Sequence, residues 1–295
     1  MTALSHDPTR GEDVVGTTPC LWILLPAFNE EKSLPVLLPK FQQALQASDY
    51  SYRILVCDDG STDNTTPLLE QYSRSMPLEY IRHKINRGLG ETSRDLFEWA
   101  ATLAADNDII IRLDCDDTHE PSLIHSLIAK LNEGNDVVIA SRFQKGGGQV
   151  GVSRYRAFIS RCANLFMKTL FPVRGVWEYS CGYRAYRAGL IKEAIRTYGN
   201  AFIQLKGMGF TCTLEKLVKL KLLGARFAEV PFTLRYDQKQ SSSKMISSIT
   251  TLGYLVMVIC YYWPWNGWSW QYRGLPKWWT NLPAEVVPPA ERKAA

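Results

Sequence analysis

Asp114 and Asp116 stand two positions apart, directly after the largely apolar stretch Asp108–Leu113. Where a strand breaks into a loop, two carboxylates at this spacing can both turn toward a divalent cation bound to a diphosphate. Oxygen ligands of this kind suit Mg²⁺ or Mn²⁺, which share their shell with substrate phosphates and water. Such an ion would neutralise charge building on a departing diphosphate. Two more polar clusters lie upstream, Ala27-Phe28-Asn29-Glu30 and Asp58-Asp59-Gly60-Ser61, and each begins where an apolar run stops. One cluster alone reads as a helix cap or a solvated loop. Three at the strand ends of one sheet read as a site, with Asp63 as readily a turn or cap residue as a contact.

The elements that must position these residues are legible between Leu21 and Ala140. Apolar runs predict strands at Leu21–Pro26, Tyr52–Cys57, Leu78–His83, Asp108–Leu113 and Asp136–Ala140. Helical periodicity predicts a helix capped by Ser33 with Leu34, Leu37, Leu38, Phe41 and Leu45 on one side. Further helices are expected near Pro67–Ser73, from Glu91 to Ala104 and after Pro121. Alternating strands and helices of this length imply an α/β fold with a mostly parallel sheet and helices on both faces. In such sheets ligands bind beyond the carboxyl ends of the strands, where all three polar clusters fall. Gly146-Gly147-Gly148 marks a loop, followed by a basic segment from Ser153 to Arg187, a helix near Thr211–Leu223 and a strand near Phe227–Tyr236.

Pro26-Ala27-Phe28-Asn29-Glu30-Glu31, Asp58-Asp59-Gly60-Ser61-Thr62-Asp63, Asn86-Arg87-Gly88-Leu89-Gly90 and Asp114-Cys115-Asp116 occur in this order. Together they resemble glycosyltransferase family 2, and within it the dolichol- or polyprenyl-phosphate mannose synthase type, over about Leu21 to Lys244. The resemblance implies a GT-A fold, inversion at the anomeric carbon, a GDP- or UDP-linked sugar donor and Mg²⁺ or Mn²⁺. It implies that Pro26, Phe28 and Glu30 line the nucleotide pocket, with Asp58 or Asp59 near the base. Asn86, Gly88 and Gly90 would form a loop against the nucleotide, and Asp114 and Asp116 would serve the metal and ribose. Thr118 departs from the pattern, since the family often has Gln there as a metal ligand. Gly88-Leu89-Gly90 also imitates a dinucleotide fingerprint, but it lacks the third glycine and follows the third strand.

By the same resemblance Arg142, Arg156 and Ser160 would hold an acceptor phosphate, a task that guanidinium forks suit. Arg154 and Arg161 read as a solvated helix face. Tyr179–Arg187 resembles a further family segment, with Glu178 where Asp is common. Arg235 and Ser243-Lys244 resemble a basic loop over the phosphates, which places Arg142 and Arg235 with Asp114 and Asp116 in the catalytic set. A lipid phosphate is already ionised near neutral pH, so the set needs no general base.

From Met245 to Tyr272 no residue is charged, and six of the nine tryptophans fall between Trp263 and Trp279. The apolar heart, Leu252–Trp263, is shorter than the roughly 20 residues of a spanning helix. A core helix is one reading. A helix lying at the water–lipid boundary, with tryptophans and tyrosines beside Lys244 and Arg273, is the other and preferred one. The expected layout is a disordered leader at 1–19, a GT-A domain at 20–244, a membrane-associated segment at 245–280 and a disordered tail at 281–295. Residues 1–19 carry no apolar stretch of the secretory kind.

The net charge of +5 is too small and too dispersed to argue for nucleic acid, but it suits an anionic donor or lipid surface. Seven cysteines without a C-x-x-C pair read as small buried hydrophobes in a reducing compartment. The resulting expectation is hexose transfer from a nucleotide diphosphate to polyprenyl phosphate at a cytoplasmic membrane face. The alternatives are transfer to a hydroxyl of a glycan, lipid or metabolite, and a non-catalytic nucleotide-sugar or lipid-binding scaffold.

Overall fold

A computed structural model describes residues 18–46, 48–239 and 247–280. The first half alternates β1 (Leu21–Ala27), α1 (Leu34–Leu45), β2 (Tyr52–Asp58), α2 (Thr65–Ser73), β3 (Leu78–Arg82), α3 (Leu89–Leu103) and β4 (Ile109–Arg112). The second half adds α4 (Ile124–Asn132), β5 (Val137–Ser141), β6 (Gly148–Val150), α5 (Arg154–Leu170), β7 (Arg184–Arg187) and α6 (Ala188–Tyr198). It closes with α7 (Thr211–Leu222), β8 (Phe227–Pro231), β9 (Thr233–Arg235), α8 (Ser247–Tyr262) and α9 (Gly267–Gln271). The main sheet runs β3-β2-β1-β4-β7-β5-β8, and only β7 is antiparallel to its neighbours.

Alternate residues along the strands feed two cores. Leu21, Ile23, Ile54, Val56 and Ile111 point to the face covered by α1, α2 and α4. Trp22, Leu24, Leu55, Ile110 and Ile139 point to the other, covered by α3, α6, α7 and α8. Strands buried on both faces read as continuous apolar runs, which is why β1, β2 and β4 stand out in the sequence. The order places β2, β1 and β4 side by side and parallel, so their three carboxyl-end loops are neighbours.

The structure departs from the expected elements at three points. The strand expected over Phe227–Tyr236 is two strands: β8 is an edge strand that ends at Pro231, the Phe232 amide makes a last bond to the Ser141 carbonyl, and β9 pairs with β6 instead. β7 carries no strand signal because two of its four residues are arginines. Arg184 is nevertheless buried, its guanidinium donating to the carbonyls of Cys181, Thr213 and Tyr179 at 2.9 Å each. Ser33 precedes α1 but does not cap it, because its backbone is already helical (φ −82°, ψ −39°). Its hydroxyl donates to Glu30 Oε2 instead, at 2.8 Å.

Near the carboxyl terminus α8 is two-faced. Met257 and Tyr261 enter the same core as α7, together with Trp268 and Trp278. Leu252, Leu255 and Ile259 stand 55%, 51% and 55% exposed. Among the described residues no helix is long and apolar enough to cross a membrane. The expected leader, apart from its last two residues, the tail at 281–295 and Lys244 lie outside the described residues.

Candidate functional site

The loops after β1 and β2 are stitched together by side chains reaching backbone amides. Asn29, in the left-handed region at φ 52°, donates its N–H to Ser61 Oγ (2.9 Å) and accepts the Thr62 amide on Oδ1 (2.8 Å). The Glu30 amide donates to Thr65 Oγ1 at 2.8 Å, and the Glu30 side chain is buried. Pro26, next to last in β1, and Phe28, just beyond it, are half-buried.

Asp58 and Asp59 are both buried, yet they do different work. Asp58 accepts the Ser61 amide (2.9 Å) and the Thr66 hydroxyl and so closes its own turn. Asp59 reaches forward: it accepts the amides of Arg87 and Gly88, each at 2.8 Å, and pairs with His83 Nδ1 at 2.7 Å. The Asn86-Arg87-Gly88 loop is therefore hung on the second acidic cluster. Gly88 has φ +89°, a conformation that side chains with a Cβ rarely adopt. Gly90 is glycine for another reason, since a Cβ there would collide with the backbone of Lys206. Asn86 is exposed at the tip.

After β4 every carboxylate of Asp114-Cys115-Asp116-Asp117 has a cation against it. Asp114 Oδ1 lies 2.7 Å from Arg112 Nη1, Asp116 pairs with Lys239, and Asp117 lies 2.8 Å from Lys40. The Thr118 hydroxyl donates to Asp116 Oδ1 at 2.6 Å, so this residue orients the carboxylate. Burial alone would raise the Asp116 pKa, but Lys239, with His119 and the Thr118 hydroxyl, more than offsets it and holds the carboxyl below its ordinary value. Beneath the loop the buried His119 accepts the Asp114 amide on Nδ1 at 3.0 Å, which places the ring proton on Nε2. Burial pushes the His119 pKa down, so the ring is neutral at pH 7.

This donor set fits a hard divalent cation. Asp114 and Asp116 keep 24% and 14% of their side chains exposed, and both already attract positive charge. Among the described residues no third His, Cys, Asp or Glu completes a protein cage. An ion held by Asp114 and Asp116 would therefore take its remaining ligands from diphosphate and water, the usual arrangement for Mg²⁺.

The basic residues are distributed less simply. Arg142 is clamped by buried Glu178, with Nε at 2.8 Å and Nη2 at 2.9 Å, and Nη2 also donates to Ser180 Oγ at 2.7 Å. Burial would raise the Glu178 pKa, but Arg142 with the Ser180 hydroxyl and the Cys181 amide more than offsets it, and the pKa is lowered. Arg156 is exposed on α5, with its guanidinium over the Tyr236 ring and Nη1 3.4 Å from that hydroxyl. Ser160, one turn on, is half-buried, and its carbonyl accepts from Asn164. Arg235 forks onto Asp237 (3.0 and 2.9 Å), and its amide donates to the Thr118 carbonyl at 3.2 Å. That last bond seats β9 on the acidic loop. The loop also reaches Arg142 through His119, the Cys181 sulfur at 3.9 Å, and Glu178, which accepts the Cys181 amide at 3.0 Å.

Four residues that build the site have a faint sequence signal or none. Arg112 shows as a charge inside an apolar strand, and Glu178 as a departure from the family pattern. His119 follows the acidic run without a spacing that announces it. Lys239 meets Asp116 across 123 positions, which no local pattern reveals.

A model of glycosyl transferase family 2 matches residues 22–204. The dolichol-phosphate mannosyltransferase of Pyrococcus furiosus is 30% identical over 212 residues, 72% of this chain and 55% of that protein. The chain thus spans little more than half the length of that relative. The undecaprenyl-phosphate mannosyltransferase of Micrococcus luteus is 30% identical over 227 residues, 77% of this chain and 87% of that one. The fold likeness extends to the crystal structure of glucosyl-3-phosphoglycerate synthase from Mycobacterium tuberculosis in complex with Mn²⁺, UDP and phosphoglyceric acid. Its TM-score is 0.53 at 16% identity, over 82% of this chain and 78% of that one. The architecture is GT-A, and the chain belongs to glycosyl transferase family 2.

Proposed function

We propose that this chain moves a hexose, with inversion, from a GDP- or UDP-linked donor to a polyprenyl phosphate at the cytoplasmic face of a membrane. The observation that carries the reading is the seating of β9 and the turn after it on the loop that carries Asp114 and Asp116. Arg235 is bonded to the backbone at Thr118, and Lys239 touches Asp116. That arrangement supports the reading of this loop as the place where a donor diphosphate and an acceptor phosphate are received together. The named activities of the Pyrococcus and Micrococcus relatives support the lipid phosphate as acceptor.

The reaction asks little of the protein by way of proton transfer. An acceptor phosphate oxygen attacks the anomeric carbon from the face opposite the leaving group, and the bond from that carbon to the diphosphate oxygen breaks. The attacking oxygen is already ionised, so no base is assigned. Bound Mg²⁺ or Mn²⁺ supplies positive charge to the departing diphosphate. Asp114 and Asp116 would hold that ion, Arg112 and Thr118 keep the two carboxylates oriented while His119 holds the Asp114 backbone, and Arg142, Arg156, Ser160, Arg235 and Lys244 are assigned to the phosphates. Pro26, Phe28, Glu30 and the Asn86–Gly90 loop are assigned to the nucleotide.

Two exposed apolar stripes support a membrane-borne acceptor. On α5, Tyr155, Phe158, Ile159, Leu165 and Phe166 recur at helical spacing and stand 43% to 74% exposed. On α8, Leu252, Leu255 and Ile259 do the same, and Trp263 just beyond its end is 71% exposed. The two helices meet where the Tyr262 hydroxyl donates to the Leu170 carbonyl. Amphipathic helices of this kind, rich in aromatic residues, lie in the interface plane and do not span. One observation favours transfer to a hydroxyl instead: Arg142, assigned to the acceptor phosphate, is already engaged by Glu178.

The test is to incubate the purified chain with Mn²⁺, polyprenyl phosphate and a panel of labelled GDP- and UDP-sugars. Label in the lipid fraction from one donor is the expected result. Label entering only a hydroxyl acceptor would reject the lipid phosphate.

A further inference from the structure

The two cations that pair with Asp114 and Asp116 differ in how firmly they are held. Arg112 belongs to β4, is fully buried, and occupies space that exists only because residue 182 is glycine. None of its three guanidinium nitrogens makes a hydrogen bond among the described residues, so the ion pair of Nη1 with Asp114 is its main polar tie. It cannot leave without moving the sheet. Lys239 is different. It follows a short turn, Tyr236–Gln238, and its side chain is 12% exposed. A lysine ammonium is a compact charge on a flexible stem, free to swing where an arginine fork in a strand is not.

A divalent ion bound by Asp116 would lie beside the same carboxylate that Lys239 now contacts. Two cations at such a distance repel, and the repulsion is strong in a site this sheltered from water. Asp116 Oδ1 is committed to Thr118, and Oδ2 is the atom that Lys239 takes. The ion and the ammonium therefore compete for one oxygen.

We propose that Lys239 is an exchangeable counterion of the donor site, neutralising Asp116 while the site is free of donor and yielding to the divalent ion that enters with the diphosphate. The inference rests on the reading of Asp116 as a metal-binding carboxylate. Its consequence is an order of loading: metal alone binds poorly, and metal with nucleoside diphosphate binds well. Arg112 plays no part in the exchange and keeps Asp114 compensated throughout.

The test is Mn²⁺ binding to the full chain, read from the free-Mn²⁺ electron spin resonance signal, with and without added UDP or GDP. Lys239→Met is expected to bind Mn²⁺ without nucleotide at least about tenfold more tightly than the unaltered protein, about 1.4 kcal/mol. Lys239→Arg keeps the charge and is expected to stay close to the unaltered protein. Adding Asp116→Asn to Lys239→Met removes the gain. Thermal melting by circular dichroism confirms folding, and Lys239→Gln serves if the methionine variant does not fold. Equal nucleotide-free Mn²⁺ affinity in the unaltered and methionine proteins, both binding with nucleotide, overturns the exchange and leaves the metal site standing. Failure of every protein to bind Mn²⁺ even with nucleotide overturns the metal site and the exchange with it.

Discussion

Along the carboxyl edge of β2, β1 and β4, Asp58, Asp59, Asp114, Asp116 and Asp117 each have a hydrogen-bond donor or a cation against them. The outer faces of α5 and α8 are the reverse: Phe158, Leu165, Leu252 and Ile259 each stand more than half exposed, and no such compensation is visible. The first region is finished in itself, with charges held and directed. The second is finished only against something apolar. A polar reactant is therefore received by a rigid edge, while the other reactant is met by a surface whose shape matters less than its solvation.

The largest effect should come from breaking the rigid edge at the pair of Asp116 with Lys239. Asp116→Ala is expected to lower sugar transfer at least about a thousandfold, roughly 4 kcal/mol of transition-state stabilisation. The melting temperature should barely move, because Lys239 can turn to water. Radiolabel transfer and a melt on the same sample check both halves. Turnover at the level of the unaltered protein would take the metal out of the mechanism.

Arg142 sits where the two regions meet, and its role decides which one it belongs to. If it is framework, Arg142→Met strands Glu178 as a buried unpaired carboxylate and costs about 3–5 kcal/mol in urea unfolding. Arg142→Met/Glu178→Met should recover most of that loss. A single variant that unfolds like the parent but no longer binds lipid phosphate would assign Arg142 to the acceptor.

The contrast also explains what the sequence disclosed. β1, β2 and β4 are buried on both faces, so their apolar runs and the acidic clusters that end them are local patterns. The hinge between the regions is not local. β7 hides behind Arg184 and Arg187, the chain leaves β5 after Phe232 for β9 to pair with β6, and Lys239 finds Asp116 only through the fold. The α8 segment shows a third kind of ambiguity. Its uncharged run is compatible with core and with interface, and the structure uses one face for each.

The exposed side can be tested without touching the edge. Leu252→Ser/Leu255→Ser/Ile259→Ser is expected to weaken partitioning onto anionic vesicles about a hundredfold, roughly 2.7 kcal/mol over three side chains. Co-sedimentation measures it, and transfer to a short-chain, water-soluble acceptor phosphate should persist. Unchanged partitioning would return α8 to the role of a core helix.

The smallest effect probes a charge that has been given no carboxylate. Lys216 of α7 is buried with its ammonium 4.4 Å from the Phe97 ring centre, and burial lowers its pKa to about 7. Cys212 and Glu215 on its own helix favour its charge, while Arg112 of β4 and Arg184 of β7 oppose it. The unfolded chain has an ordinary lysine near pKa 10.4. Between pH 7 and that value the unfolded state holds a proton that the folded state has lost, so stability must rise with pH. From pH 7 to pH 9 the rise is about 2 kcal/mol. Lys216→Met should abolish that slope and be the more stable protein at pH 7, since it no longer needs to discharge an ammonium on folding. Urea titrations of both proteins at pH 7, 8 and 9 isolate the difference, because every other group is common to the pair. Parallel slopes would mean that Lys216 stays charged and has found a partner of its own, and the excess of positive charge between β7 and α7 would then be as fully compensated as the acidic edge.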